Sequence, residues 1–215
     1  MSVRNVAYRS IRISTFMLVS FFAMRALAQA FSADLVDSSV PTFPAQHNPV
    51  FVQGDRMRME MRDPETPASS AIMLIDFAHH SALVLIPAQR IALDARAFEF
   101  ARKLDWTLFR PEHADDACVT WLKTSYHGKL PAACKKTGVE MINGRVAYKY
   151  QGNGVGGLPD ASFWVDQTLG ILIKVDGDGA RYEMQSIREG RQDASLFEVP
   201  PGYQKVGFGG GAPTR

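Results

Sequence analysis

Arg56-Met57-Arg58-Met59-Glu60-Met61-Arg62 sets a methionine at every second position and a charged residue between them. In an extended strand successive side chains point to opposite faces, so this run has one soft apolar face and one ionic face. Ile72 to Phe77 and Ala82 to Ile86 follow as two more strand-like runs, joined by Ala78-His79-His80-Ser81. Sequential strands of this kind make an antiparallel meander with one apolar side. The stretch therefore predicts a curved sheet whose apolar side faces a core or a ligand.

On the N-terminal side, Phe31 to Leu35 alternates and reads as the first strand of a mature protein. Pro41 to Pro49, with three prolines, reads as a loop, because proline cannot donate to a sheet ladder. Val50 to Gln53 is extended, and Asp63-Pro64-Glu65-Thr66-Pro67 is turn chemistry. The period then changes. Leu93, Ala97, Phe100, Ala101 and Leu104 recur at helical steps behind Asp94, which predicts a short amphipathic helix from about Ala95 to Leu104. A second helical stretch is expected from Asp115 to Leu122, then a loop from Tyr126 to Pro131. Strands resume at Val139 to Ile142 and Arg145 to Tyr150 around Asn143-Gly144, a strong hairpin signal. Phe163-Trp164-Val165 with Gly170 to Val175 forms the next hairpin, and Arg181 to Ile187 the last long strand. The expected fold class is mainly β (α+β). About ten runs joined by tight turns make one antiparallel sheet, which curls at that size into an unclosed half-barrel. A helical insert over about 95–134 covers a face or the mouth.

The first thirty residues read as a secretory signal peptide. Arg4, Arg9 and Arg12 precede an apolar run from Ile13 to Met24, and Ala28-Gln29-Ala30 fits a cleavage site with the cut after Ala30. The rival reading is a membrane anchor, but the run falls short of the roughly 20 residues that span a bilayer, and Arg25 interrupts its end. The whole chain holds 24 Lys+Arg and 22 Asp+Glu; without the segment's four arginines the balance is 20 against 22, a net −2. A balanced mature chain gives no electrostatic case for nucleic acid. The remainder, 31–206, fits a single domain, and glycine-rich 207–215 reads as a disordered tail.

Cys118 and Cys134 are the only cysteines. In an oxidising compartment they are expected to pair; two free thiols or a shared metal are the alternatives, and no second cysteine pair or suitably spaced histidine supports the metal. Gly152-Asn153-Gly154-Val155-Gly156-Gly157 satisfies G-x-G-x-x-G as text but precedes another strand rather than a helix, so it reads as a flexible loop without a cofactor. His79 and His80 read as an exposed turn, Glu112, His113, Asp115 and Asp116 as a loop and helix cap. Asp176 and Asp178 lack the calcium loop's closing glutamate, whose place Ile187 holds. No nucleophile elbow is present. No enzymatic role, cofactor or metal is expected.

The segments "VFVQGDRMRMEM", "IMLIDF", "ALVLIPAQR", "GVEMINGRVAYKY", "FWVDQTLGILIKV" and "LFEVPPGY" together resemble the periplasmic outer-membrane lipoprotein carrier (LolA/LolB-like) superfamily, in an uncharacterised branch. The resemblance runs over roughly Phe31 to Val206. It implies an unclosed antiparallel barrel over a helical lid, with an apolar cavity for lipid or the acyl groups of a lipoprotein. The expected function is a non-enzymatic periplasmic protein that binds a hydrophobic ligand. Met57, Met59, Met61, Leu83, Leu85, Phe163 and Val165 would line the cavity, and Phe100 and Leu104 would close it from the lid. Arg56, Arg58 and Arg62 would lie on the opposite, solvated face, available to anionic head groups. Its expected partners are a lipid or acylated protein and an envelope protein. The alternative is an envelope interaction or sensor module with a filled core and no ligand. Methionine keeps the first reading open, because its flexible thioether suits irregular apolar surfaces. The sequence does not fix the oligomeric state.

Overall fold

A computed structural model of the chain describes residues 30–40, 44–62, 70–95, 108–124 and 133–206. The signal segment before Ala30, the turn at 63–67, the expected lid residues Phe100 and Leu104, and the tail from 207 lie outside the described residues. Six strands come first: β1 (Ala30–Asp37), β2 (Gln46–Gln53), β3 (Arg56–Met61), β4 (Ala71–Asp76), β5 (Ser81–Ile86) and β6 (Ile91–Asp94). A helix, α1 (Ala117–Thr124), separates them from β7 (Ala133–Ile142), β8 (Arg145–Asn153), β9 (Ala161–Asp166), β10 (Leu172–Gly177), β11 (Ala180–Glu189) and β12 (Gln204–Val206).

The twelve strands of the described residues join one sheet in the order β12-β6-β5-β4-β3-β2-β1-β11-β10-β9-β8-β7. β1–β6 and β7–β11 form two antiparallel meanders sewn together where β1 pairs with β11, and β12 adds in parallel to β6. The meander read from the methionine strand is present: Met57 faces Ile75 and Met59 faces Met73 across β3 and β4. Asn143 and Gly144 turn β7 into β8 with φ of 49° and 78°, the left-handed conformation such a two-residue loop demands.

Three local readings are corrected. Leu93 shares the spacing that predicts the helix after Asp94, but it lies on β6, where it pairs with Val84 on one side and Val206 on the other. Pro49 was assigned to a loop but lies within β2, opposite Asp34. It is tolerated there because the β2–β3 ladder ends at Val50 and Met59, and Arg62 donates its backbone N–H to the Asn48 side chain instead. The glycine run is packed rather than flexible. Gly152 belongs to β8, and a Cβ there would lie 2.8 Å from Val155 and 2.9 Å from Phe163.

The sheet is strongly curled at one end. β9 and β10 separate β8 from β11, which in a flat sheet sets those strands about 14 Å apart. Arg145 of β8 nevertheless reaches Glu189 of β11 at 2.8 Å, and the Asn143 amide donates to the Met184 carbonyl. A segment before α1 ties the same end. Phe109 accepts a hydrogen bond from the Leu172 N–H, and Arg110 donates to Gly54 and Asp55 in the β2–β3 turn, each at 2.8 Å. The half-barrel is thus gathered at the end that carries Gly54, Asp55 and Asp166. No such strap crosses the other end of β2–β5 among the described residues.

Cys118 and Cys134 form a disulfide that pins the start of α1 to the start of β7. With a sequence separation of 16 between the bridged positions, its loss is expected to cost about 3 kcal/mol on the chain-entropy model. Urea unfolding of the Cys118→Ser/Cys134→Ser double variant measures this, and an unchanged midpoint would contradict it.

Candidate ligand-binding cleft

The residues expected to line one cavity fall into three clusters. Met57 is fully buried, and Met59 and Met61 pack beside it with Val50, Val52, Met73, Ile75 and Met184. Phe163 and Val165, also fully buried, pack instead against Trp121 of α1, Tyr150 and Val175. The two clusters meet at Tyr182, which packs on both. Leu83 and Leu85 stand on the other side of the sheet from the methionines. Alternation puts them there, since Ala82 is the residue that lines up with Ile75 and Met57. The structure therefore does not bring these positions together around one space.

Leu83 and Leu85 pack with Leu74, Ala92, Val199 and Tyr203. Their cover is the closing "LFEVPPGY" segment, which lies over β3–β6 before adding β12 in parallel to β6. The same segment changes the reading of the arginines. Arg58 is only 12% exposed and donates to the Leu196 carbonyl, while the Arg56 guanidinium lies 5.1 Å from the centre of the Phe197 ring. The ionic face of β3 is here mostly a docking face for the chain's own C-terminal segment. Sequence reading missed this role, although "LFEVPPGY" itself held the signal: apolar residues bracketing two prolines that cannot continue a strand.

A concavity of about 580 Å³ opens at the untied end of β2–β5. Ala45, Met61, Ala71, Ile72 and Pro87 supply its apolar lining. Arg58, Glu60 and Arg62 supply the charged part, with His47 beside them. Met61 and Ala71 come from the methionine face and Arg58, Glu60 and Ile72 from the other, because the cleft sits where the strands end and both faces reach it. Along β3 burial fades toward it: Met57 is fully covered, Met59 and Met61 are half-buried. The volume falls within the range of small-molecule sites, about 300–1,000 Å³.

The charged lining is organised around Glu60. Its Oε1 accepts from Arg58 Nε and Nη2 at 3.0 and 2.9 Å, and its Oε2 accepts from Arg62 Nη2 at 3.0 Å. Burial pushes the Glu60 carboxyl up, but the hydrogen bonds and charges of Arg62 and Arg58 outweigh it and hold the group below its ordinary value. His47 Nδ1 meets Asp34 at 2.5 Å beside this cluster. Among the described residues no group of three His, Cys, Asp or Glu side chains is placed to hold a metal ion.

No family model and no curated protein matches the chain. Solved structures similar to it include PNGF-II, with 14% identity and a TM-score of 0.48 over 83% of this chain, which spans 31% of that protein. A DUF1329 family protein from Desulfovibrio piger has 10% identity and a TM-score of 0.35 over 82% of this chain and 96% of its own. An outer membrane lipoprotein-sorting protein domain from Vibrio parahaemolyticus has 10% identity and a TM-score of 0.32, covering 75% of this chain and 73% of its own.

Proposed function

We propose that this is a non-enzymatic periplasmic protein that binds a hydrophobic ligand, a lipid or the acyl chain of a lipoprotein, at the untied end of its half-barrel. The observation that carries the reading is the 580 Å³ cleft, whose apolar lining continues the core outward along Met57, Met59 and Met61. Buried methylenes contribute about 0.8 kcal/mol each, so even a short chain segment seated there gains useful affinity. The disulfide accords with an oxidising compartment.

Protein purified from a periplasm is expected to carry lipid in native mass spectrometry and to bind a dansylated undecanoic acid probe. Met61→Glu would place a charge in the apolar lining and is expected to weaken the probe at least tenfold. Met141→Glu, at a position 70% exposed on β7, is the control and should leave binding unchanged. Lipid-free protein that ignores the probe would end this reading.

One observation favours a second reading, an envelope interaction or sensor module. The methionine face is filled along much of its length by the protein's own side chains, with Val50, Met57, Ile75 and Met184 each at most 2% exposed. A crosslinked envelope partner together with no bound lipid would select it.

A further inference from the structure

The cleft joins an apolar lining to a guanidinium cluster, and that pairing specifies more than apolarity. Resting on the cleft reading above, we propose that its ligand is a single-chain amphiphile with an anionic oxyacid head, a carboxylate or a phosphate monoester, and that Arg62 binds the head.

Two guanidinium groups, Arg58 and Arg62, share one carboxylate, so the trio keeps a net positive charge. The two arginines are not equivalent. Arg58 is 12% exposed, and Nε, Nη1 and Nη2 are all engaged by Glu60 and the Leu196 carbonyl. Arg62 is 61% exposed and commits only Nη2 to Glu60, which leaves Nε and Nη1 unengaged among the described residues. Its main chain is fixed as well, because its N–H donates to the side chain of Asn48, a residue only 6% exposed. Arg62 is therefore a positioned guanidinium with an unused donor edge beside the apolar lining of Met61, Ala71, Ile72 and Pro87. A planar fork of donors matches carboxylate and phosphate oxygens. Glu60 already accepts three hydrogen bonds, so it acts as a positioning residue that holds both arginines. The same cluster disfavours a cationic head, which would meet two guanidinium groups.

The test separates this assignment from the cleft reading. The full chain is loaded with the neutral probe N-phenyl-1-naphthylamine, which reports apolar binding alone. It is then titrated with dodecanoate, dodecyl phosphate, dodecanol, dodecyltrimethylammonium and inorganic phosphate. The anionic amphiphiles are expected to displace the probe at concentrations at least tenfold below dodecanol, with the ammonium compound weakest. Their relative strength distinguishes a carboxylate from a phosphate head. Inorganic phosphate should leave the probe in place.

In Arg62→Gln the advantage of the anionic amphiphiles over dodecanol is expected to fall below threefold, and Arg62→Lys should restore part of it. A thermal melt of each variant checks folding. Equal displacement by dodecanol and dodecanoate overturns the head-group assignment and leaves the cleft reading standing, as does a preference that survives Arg62→Gln. Displacement by inorganic phosphate alone would make the site a plain anion site and overturns it too. Failure of the probe and every amphiphile to bind removes the cleft reading and this assignment together.

Discussion

Asp166→Ala is expected to cost the fold about 3–5 kcal/mol, because it strips one partner from a buried ion pair. Asp166 is 1% exposed. Its carboxylate accepts from Arg145 Nε at 2.5 Å and from the backbone N–H groups of Thr168 and Leu169 at 2.8 and 2.7 Å. One side chain thus holds the β9–β10 turn and anchors the arginine that crosses to Glu189. The hydrogen bond that Arg145 donates to Asp166 raises its affinity for its proton above the ordinary guanidinium value, with Glu189 adding to it against the effect of burial. Alanine leaves two turn N–H groups and a guanidinium without their acceptor. Asp166→Asn keeps an acceptor for the turn but removes the charge, so its cost should fall between parent and alanine. Urea unfolding measures all three proteins. A loss under about 1 kcal/mol for alanine would mean that the curl is held elsewhere.

Trp121→Ala carries the second large effect, again about 3–5 kcal/mol, through a cavity rather than a charge. Trp121 is 1% exposed, with its ring centre 5.4 Å from that of Tyr150 in an edge-to-face arrangement and 5.1 Å from that of Phe163. It is the main apolar anchor of α1, a helix of eight residues that is too short to persist without packing. Two further restraints act at the N-terminal end of α1, one on the turn just before it and one on its first turn. The Tyr150 hydroxyl donates to the Ala114 carbonyl at 2.6 Å, and Cys118 is bridged to Cys134. Truncating Trp121 and breaking the disulfide should therefore be non-additive, since each removes part of what the other holds. Phenylalanine at 121 retains part of the aromatic contact and should cost less than alanine. A double variant whose loss equals the sum of the singles would show that α1 is held by independent contacts.

Much of the sheet was legible because period-2 alternation and turn chemistry are local. The methionine strand, the Asn143-Gly144 hairpin and the run from Arg181 to Ile187 all stand in the sequence as they stand in the fold. Pro49 misled because the partner that places it, Asp34, lies outside any window of a dozen residues. Leu93 misled because it shares the helical spacing of the residues after Asp94, which hid its pairing with Val84 and Val206. Gly152 was read as slack because glycine carries no side chain to signal packing, yet the missing Cβ is what lets Val155 and Phe163 close over it.

The candidate site was legible in its residue types and not in its geometry. Alternation assigned the methionines and arginines of β3 to opposite faces, which is where they lie. The grouping of Leu83 and Leu85 with Met57 ignored parity across β4, a one-residue difference that moves a side chain to the other surface. The cleft itself arises at strand ends, where the two faces stop being separate. Periodicity describes the middle of a strand and says nothing about its last residue, so the meeting of Met61 with Arg62 and Glu60 at one opening became visible only in three dimensions.

The seam between β1 and β11 has a bearing on how the chain acquires its shape. Ser38 donates a hydrogen bond to Arg181, a residue 143 positions later, so the centre of the sheet waits for nearly the whole polypeptide. Until then each meander exposes an unsatisfied backbone ladder at the place where its counterpart belongs. Contacts this distant slow folding and lengthen the life of the open chain. A late-knitting polypeptide keeps those two edges open longest, so wrong strand pairing during refolding would begin there before anywhere else in the sheet.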